Sequence, residues 1–371
     1  MAFLQTTLTI VLLLASSGNG ALHDQASSWS VDVFHRYMQD YQKPYAVGSD
    51  EYVKRLNNFK ASLTRVALLN AQSEEENQRL SQVNDTIVIN DRHRSSPGRP
   101  VYGINSFSDL STQEFIASKQ CMHRGNVSQF AGSSALTADE FMSKHADMVT
   151  PPDKWDWRNQ SVVTEIKNQK SCGSCWAFAA IETIESAWAI KYSRLYSLSV
   201  QQLISCNIGT GNSGCNGGRY ETAYNWLIQG SRKVDLDAEY PYYDSKGGVL
   251  PCREVETKSP VTLTSYQSIL NISLATESGL LMRAVYYYGP VAIVVDAASW
   301  QDYEGGIIQH HCTAQSLDHA VVIVGYDTTG PIPYWIVRNT WGGSWGHNGY
   351  LYIEMNKDLC GLESSPAYVQ V

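Results

Sequence analysis

The pentapeptide Cys172-Gly173-Ser174-Cys175-Trp176 constrains this chain more than any other stretch, because a helical pattern starts at its last residues. From Ala177 to Trp188, apolar residues recur at 177, 181, 184 and 188, so the spacing predicts a helix with Cys175 at or beside its N-terminus. The unpaired amides and the positive end of the helix dipole favour an anion there, and a thiol ionises more readily. Two cysteines three apart also occur in zinc and redox sites. A zinc site needs a second Cys or His pair at ligand spacing, whereas Cys121, Cys206, Cys215, Cys252, Cys312 and Cys360 stand singly. His310-His311-Cys312 looks like a ligand cluster, but adjacent residues of an extended segment point to opposite sides. A thioredoxin-like pair needs an early strand-helix-strand unit, and here about 170 residues of different character come first. What remains is a nucleophile.

The pentapeptide resembles the local signature of the papain-like cysteine proteases, and that resemblance implies a histidine base and an orienting amide downstream. His319 lies in Leu317-Asp318-His319-Ala320-Val321, and Asn339 in Ile336-Val337-Arg338-Asn339-Thr340-Trp341-Gly342. The three motifs, in this order, resemble those of the papain-like cysteine proteases. The resemblance implies Cys175, His319 and Asn339 as catalytic residues, Trp341 as a shield over the His319–Asn339 hydrogen bond, and Gln169 with the Cys175 amide as the oxyanion donors. It implies a substrate-pairing rim at Gly217 and Gly218, and further substrate contacts at Arg219, Tyr220, Val294, Leu317, Asp318, Ala320 and Ser365. Arg219 stands where the family often has an aromatic residue, so tolerance of an acidic or polar substrate side chain is expected. Thr340 replaces the usual Ser beside Asn339, a change expected to matter little. Blocks 299–312 and 333–339 narrow the resemblance to one type of member within the family.

With 43% hydrophobic and 17% charged residues in 371, the chain can build two cores and is not of disordered composition. A net charge of −8 gives no basic face for nucleic acid. The apolar run Leu8 to Ala15, followed by Ser16-Ser17-Gly18-Asn19-Gly20, is too short to span a bilayer and reads as a secretory signal over residues 1–20. Entry into the secretory pathway gives meaning to the sequons at Asn84, Asn126, Asn159 and Asn271, and it permits disulfides. Eight cysteines would make four bridges, but a nucleophilic Cys175 has to stay free, and Cys121 falls in a segment expected to be removed. Six remain, whose pairing spacing alone leaves open. The family resemblance implies Cys172 with Cys215, Cys206 with Cys252, and Cys312 with Cys360.

Residues 21–150 read as a polar, helical prosegment. Trp29, Val33, Phe34 and Tyr37 share one helix face, and a second helix begins near Glu51. The spacing Glu51, Arg55, Phe59, Val66, Asn70 resembles a prosegment motif of the cathepsin L-like subgroup, with Ser62 where Asn is usual. Gly103-Ile104-Asn105-Ser106-Phe107-Ser108-Asp109 resembles its second motif. Paired carboxylates such as Glu51 and Asp109 are expected to let acid loosen the prosegment. The stretch 71–100, with Glu74-Glu75-Glu76 and the basic Asp91–Pro100 segment, reads as an exposed insertion.

Asp156-Trp157-Arg158 resembles the opening of mature papain-like chains. A helical domain is expected over 151–255 and a β-rich one over 256–371, the latter from Val291–Val295, Val321–Val324, Tyr334–Val337 and Tyr350–Ile353. The expected fold is α+β: a helical left domain and an antiparallel β-barrel right domain, an active-site cleft between them, and a helical prosegment ahead. The function it implies is a lysosomal or secreted cysteine endopeptidase made as a zymogen. Its expected partners are protein and peptide substrates, its own prosegment as inhibitor, and cystatin-like inhibitors. No cofactor, metal, nucleic acid or membrane is expected, and the chain reads as a monomer. The alternatives are a catalytically silent homologue or protease-binding inhibitor, and a disulfide-rich extracellular binding module. The intact set Cys175, His319, Asn339 and Gln169 argues against the first, and an odd cysteine against the second.

Overall fold

Charge and aromatic residues build the first of two units, which comprises residues 1–95, 99–115 and 300–305. The computed structural model describes residues 20–83, 98, 100–119, 121, 135–243, 249–270, 277–362, 364 and 366–371. The apolar N-terminal run, the sequons at Asn84, Asn126 and Asn271, most of the basic segment 91–100, and Ser365 lie outside them. Helix α1 (Gly20–Asp40) and helix α2 (Asp50–Val83) carry the predicted faces. Phe34, Tyr37, Tyr52, Phe59 and Leu63 make one buried cluster, with Trp29 and Val33 packed against it. A short strand β1 (Val101–Tyr102) pairs antiparallel with β6 (Tyr303–Gly305). Asn70 acts as a substitute strand residue: its side chain donates to the Tyr102 carbonyl at 2.8 Å and accepts from the Tyr102 amide at 3.0 Å. Ser62 is fully buried and its hydroxyl accepts from Arg65 at 2.8 Å. Gly103 has to be glycine, since a Cβ there would meet Glu304 Cγ at 2.7 Å.

Both carboxylates expected to be paired are paired. Asp109 accepts from Lys43 at 3.0 Å and from the Tyr45 hydroxyl at 2.6 Å, and Glu51 accepts from Arg55 at 2.6 Å. The larger hub is Glu114, which receives Lys54, Arg55, Asn58 and the Ser111 amide. Arg65 reaches Asp302, and Asn105 donates to the Gln301 carbonyl at 2.8 Å.

The second unit comprises residues 96–98, 116–299 and 306–371. Two regions of regular structure meet within it. Helix α5 (Cys175–Tyr192), helix α6 (Val200–Cys206) and helix α7 (Tyr220–Gln229) form the helical side; α3 (Thr112–Lys119), which begins in the first unit and ends in the second, and α4 (Ala138–Lys144) precede them. The apolar spacing predicted a one-faced α5. Instead every residue from Cys175 to Ala189 is buried, because α6 and α7 pack on one side and the sheet on the other.

Among the described residues, that sheet has nine strands. Strands β5 (Val291–Val295), β8 (His319–Asp327), β9 (Tyr334–Arg338) and β10 (Tyr350–Glu354) occupy the predicted runs and pair antiparallel in that order. Strand β3 (Lys154–Asp156) adds to β8, also antiparallel. The sheet is mixed: β2 (Ala135–Thr137) joins β4 (Ser265–Leu270) in parallel, and β7 (Ile307–Ile308) joins β10 in parallel. Strand β11 (Ala367–Gln370) bridges β4 and β5. The β-rich half also holds an unpredicted helix, α8 (Glu277–Tyr288), whose Leu280, Leu281, Ala284 and Val285 are fully buried. Thr137 caps α4 by accepting the Glu140 amide, while Glu140 accepts from the Thr137 amide, a reciprocal capping box.

Candidate active site

The loop ahead of α5 is fixed by the Cys172–Cys215 disulfide and by the Gly173 amide donating to the Cys215 carbonyl at 2.9 Å. Cys206–Cys252 and Cys312–Cys360 are also bridged, as the resemblance implied. With Cys312 bridged, His310-His311-Cys312 has no thiolate to offer a metal. Gly217 has a φ of 108°, in the region that favours glycine. At Gly218 a Cβ would lie 2.8 Å from the Trp176 ring and 2.5 Å from Asn212, so only glycine lets the rim lie this close to the indole.

Across from α5, His319 opens β8 opposite Val295 of β5, and Asn339 follows β9 directly. His319 Nε2 and Asn339 Oδ1 are 2.8 Å apart. The same Asn339 oxygen accepts the Thr340 amide at 2.8 Å, which identifies it as the carbonyl oxygen. His319 Nε2 is therefore the donor, and Nδ1 is left facing the sulfur atoms. The Trp341 ring lies 4.9 Å from the imidazole at 30°, and the indole, imidazole and amide are all buried. Burial pushes the His319 pKa down to about 4; the hydrogen bond to Asn339 opposes this and the nearby Lys119 ammonium adds to it.

Gln169 is fully buried and held at both ends of its amide. Its Nε2 donates to the Cys172 carbonyl at 3.2 Å, and its Oε1 accepts from the Thr340 hydroxyl at 2.7 Å. Thr340 fixes the side chain that the resemblance makes an oxyanion donor, and it does so through the hydroxyl and not through the added methyl that was expected to matter little. Thr and the usual Ser share that hydroxyl.

The expectation of a free Cys175 thiol is overturned. Cys175 is bonded to Cys121, so all eight cysteines are in bridges. Cys121, although it lies in the segment expected to be removed, has a partner before that removal. The Cys121 amide donates to the Asp318 carbonyl at 2.9 Å and its carbonyl accepts from the Gly218 amide at 3.0 Å, so its backbone joins both sides of the site. Cys121 Sγ lies 3.5 Å from His319 Nδ1, and Cys175 Sγ accepts the Ala320 amide at 3.1 Å. Cys121, Cys175 and His319 are also the one cluster of metal-ligand type among the described residues. A disulfide leaves that cluster no thiolate.

Tyr220, Val294 and Ala320 share an apolar cluster, with Leu317 packed against it; Asp318 is buried beside them. Arg219 is buried, and its guanidinium meets Glu221 at 2.7 and 3.2 Å. That carboxylate, two residues on in sequence, neutralises the charge and removes the reason for expecting acidic substrates. Asn159 is exposed, within the short 3-10 helix Trp157–Gln160.

The family profile described as "Papain family cysteine protease" matches residues 151–370, and that of the "Cathepsin propeptide inhibitor domain" matches residues 34–115. The chain is 40% identical to human Cathepsin O over 284 residues, 76% of this chain and 84% of that one. It is 34% identical to Cysteine proteinase B of Leishmania mexicana over 298 residues, covering 80% of this chain and 65% of the relative. Procathepsin L 3 of the Tenebrio molitor larval midgut superposes with a TM-score of 0.73 at 26% identity, covering 92% of this chain and 99% of that one. For a recombinant stem bromelain precursor the TM-score is 0.71 at 29% identity, covering 92% and 99%.

Proposed function

Because the chain belongs to the papain family of cysteine proteases and carries a propeptide inhibitor domain ahead of the protease, we propose a lysosomal or secreted endopeptidase that works through a Cys175 thioester. The observation that carries this reading is the His319–Asn339 hydrogen bond at 2.8 Å, which turns His319 Nδ1 towards the sulfur of Cys175 and its partner. Once Cys175 is released, His319 Nδ1 takes its proton and the pair rests as thiolate and imidazolium. The thiolate attacks the scissile carbonyl, and charge gathers on the oxygen. The Cys175 amide and the second Nε2 proton of Gln169 receive that charge, since Cys172 takes only one. His319 then gives its proton to the departing amine, and afterwards draws a proton from the water that opens the thioester. Asn339 holds the ring in this tautomer, and Trp341 keeps water from the bond between them.

The order of domains accords with the same reading: a signal over 1–20, a prosegment to 150, and the protease from 151, where the family match begins. Location in the secretory pathway rests on the apolar run before Ala15 and on the sequons, of which Asn159 is exposed. Protein and peptide substrates occupy Gly217, Gly218 and the cluster of Tyr220, Val294, Leu317 and Ala320. Cystatin-like inhibitors compete for the same site, and the enzyme acts as a monomer. Labelling with a thiol-directed epoxide after reductive activation tests the assignment. Modification confined to Cys175, and a Cys175→Ser variant reduced by about 10⁴-fold or more, is the expected result. Label on another residue, or full cleavage by that variant, sinks it.

A further inference from the structure

We propose that Cys121 and Cys175 form a redox latch, so that the precursor is covalently closed and needs a thiol reductant before Cys175 can act. The inference rests on reading Cys175 as the nucleophile, and three observations carry it. The two residues have a Cα separation of 5.6 Å, within the range that a disulfide spans. The other six cysteines pair among themselves, which leaves Cys121 and Cys175 only each other. The segment is also built to deliver Cys121 to this place. Its backbone hydrogen-bonds to Asp318 and to Gly218, and two residues earlier the Lys119 ammonium donates to the Lys170 carbonyl at 3.0 Å. Cys121 is 2% exposed and Cys175 is fully buried, so a reductant reaches the sulfurs only when Cys121 lifts from its hydrogen bonds to Asp318 and Gly218.

The chemistry is thiol–disulfide exchange with a low-molecular-weight thiol. The thiolate of the first reductant molecule attacks Cys121 Sγ. The Cys121–Cys175 bond breaks, and Cys175 departs as a thiolate at the N-terminus of α5, where an anion is favoured. Cys121 is left in a mixed disulfide with the reductant. A second thiolate attacks the reductant's sulfur, yielding the oxidised reductant and a Cys121 thiolate, which takes a proton from water. Two electrons pass from two thiols to the bridge.

The latch differs from non-covalent prosegment inhibition in one respect. Cutting the chain between Cys121 and the protease does not release the inhibitory segment, because the fragment stays attached through sulfur. The test uses the full-length precursor purified without thiols. Non-reducing peptide mapping is expected to join the Cys121 peptide to the Cys175 peptide. Thiol titration in denaturant is expected to start from zero per chain, and after glutathione treatment mapping is expected to find Cys121 and Cys175 free before the epoxide can label Cys175, with the more exposed Cys206–Cys252 bridge followed in the same map. Proteolytic cutting without glutathione is expected to leave Cys175 unlabelled by the epoxide in wild type but labelled in Cys121→Ser. If that variant does not fold, the mapping and titration of wild type still decide.

Two thiols in the untreated precursor, with activation equally fast with and without glutathione, overturn the latch. So does one zinc per chain with two thiols exposed by a chelator. If the linked peptides are found but the reduced, processed enzyme cleaves nothing, the bond stands and the assignment of Cys175 as nucleophile falls.

Discussion

Helix α2 of the first unit and helix α5 of the second both carry carboxylates paired with cations, but they keep them in different solvents. On α2, Glu51 is half exposed and Lys54 more than half, so their pairs are screened and weak. On α5, Glu182 and Glu185 are sealed among apolar residues, each with its own cation: Arg338 at 3.2 Å for Glu182 and Lys167 at 2.5 Å for Glu185. Burial pushes the Glu182 pKa up to about 7, against the opposing charges of Arg338 and Lys167. The Glu51 and Lys54 pairs of α2 are therefore charges that solvent can reach. The catalytic region is held by packing, sulfur and charges that must not lose a partner.

The largest effect should come from breaking the buried pair. Arg338→Ala leaves Glu182 without its cation one residue from Asn339, and should cost about 3–5 kcal/mol in urea denaturation. Replacing both partners, as Arg338→Met with Glu182→Leu, should recover most of that loss. If the single variant loses less than about 1 kcal/mol, buried and exposed pairs do not differ here and the contrast fails.

Acid should act first where the ring is buried. The neutral form of His319 is favoured by burial down to about pH 4, against an ordinary value of 6.5. Its contribution to the closed site is thus complete above pH 6.5 and is lost as pH falls from 6.5 to about 4, because the opened chain takes up the proton first. At ~1.4 kcal/mol per pH unit the loss approaches ~3 kcal/mol. Because Glu182 titrates over the same range in both proteins, the readout is the difference between wild type and His319→Gln, and the stability of the oxidised wild-type precursor relative to the variant should fall by that amount between pH 7 and 4.5.

Glu114 offers the opposite test in the first unit. Desolvation works to raise its pKa, but Lys54, the Ser111 amide and Arg55 together bring it down to about 2. Its contribution is present above pH 4.5 and is lost as pH falls from 4.5 towards 2. Since the carboxylate is partly exposed, Glu114→Gln should cost about 1–2 kcal/mol at pH 7 and almost nothing at pH 2. Local amide exchange in α2 measures it. An equal loss at both pH values would mean that packing, and not charge, holds this region.

The parts of the site that sequence made legible are those whose partners are fixed by a motif: His319 meets Asn339 and lies beside Cys175, Gln169 is held by Cys172 and Thr340, and β5, β8, β9 and β10 follow their apolar runs. Several features were hidden because they depend on pairs distant in sequence. Cys121 stands 54 residues before Cys175, and no local pattern marks the pair. Glu114 becomes a hub only when α2 brings Lys54, Arg55 and Asn58 to it. Two misses were local and readable. Glu221 stands two residues after Arg219, near enough to cancel its charge, and Leu280, Leu281, Ala284 and Val285 have the spacing of a buried helix face.

Thr340 gives the smallest expected effect and the sharpest one for the catalytic region. Its hydroxyl donates to Gln169 Oε1 at 2.7 Å, and with the Gln169 donor bond to Cys172 this fixes the plane of the amide. Thr340→Val keeps the volume but removes the donor, leaving a buried acceptor unsatisfied at ~1–2 kcal/mol. If Gln169 serves only the developing oxyanion, kcat should fall about tenfold with KM nearly unchanged, and Thr340→Ser should restore it. A structural role would instead lower the melting temperature and leave kcat of the folded fraction intact. That outcome would place Thr340 with the packing of α5 and leave Gln169 to be positioned by its backbone, where the Gln169 amide already donates to the Thr340 carbonyl at 2.8 Å.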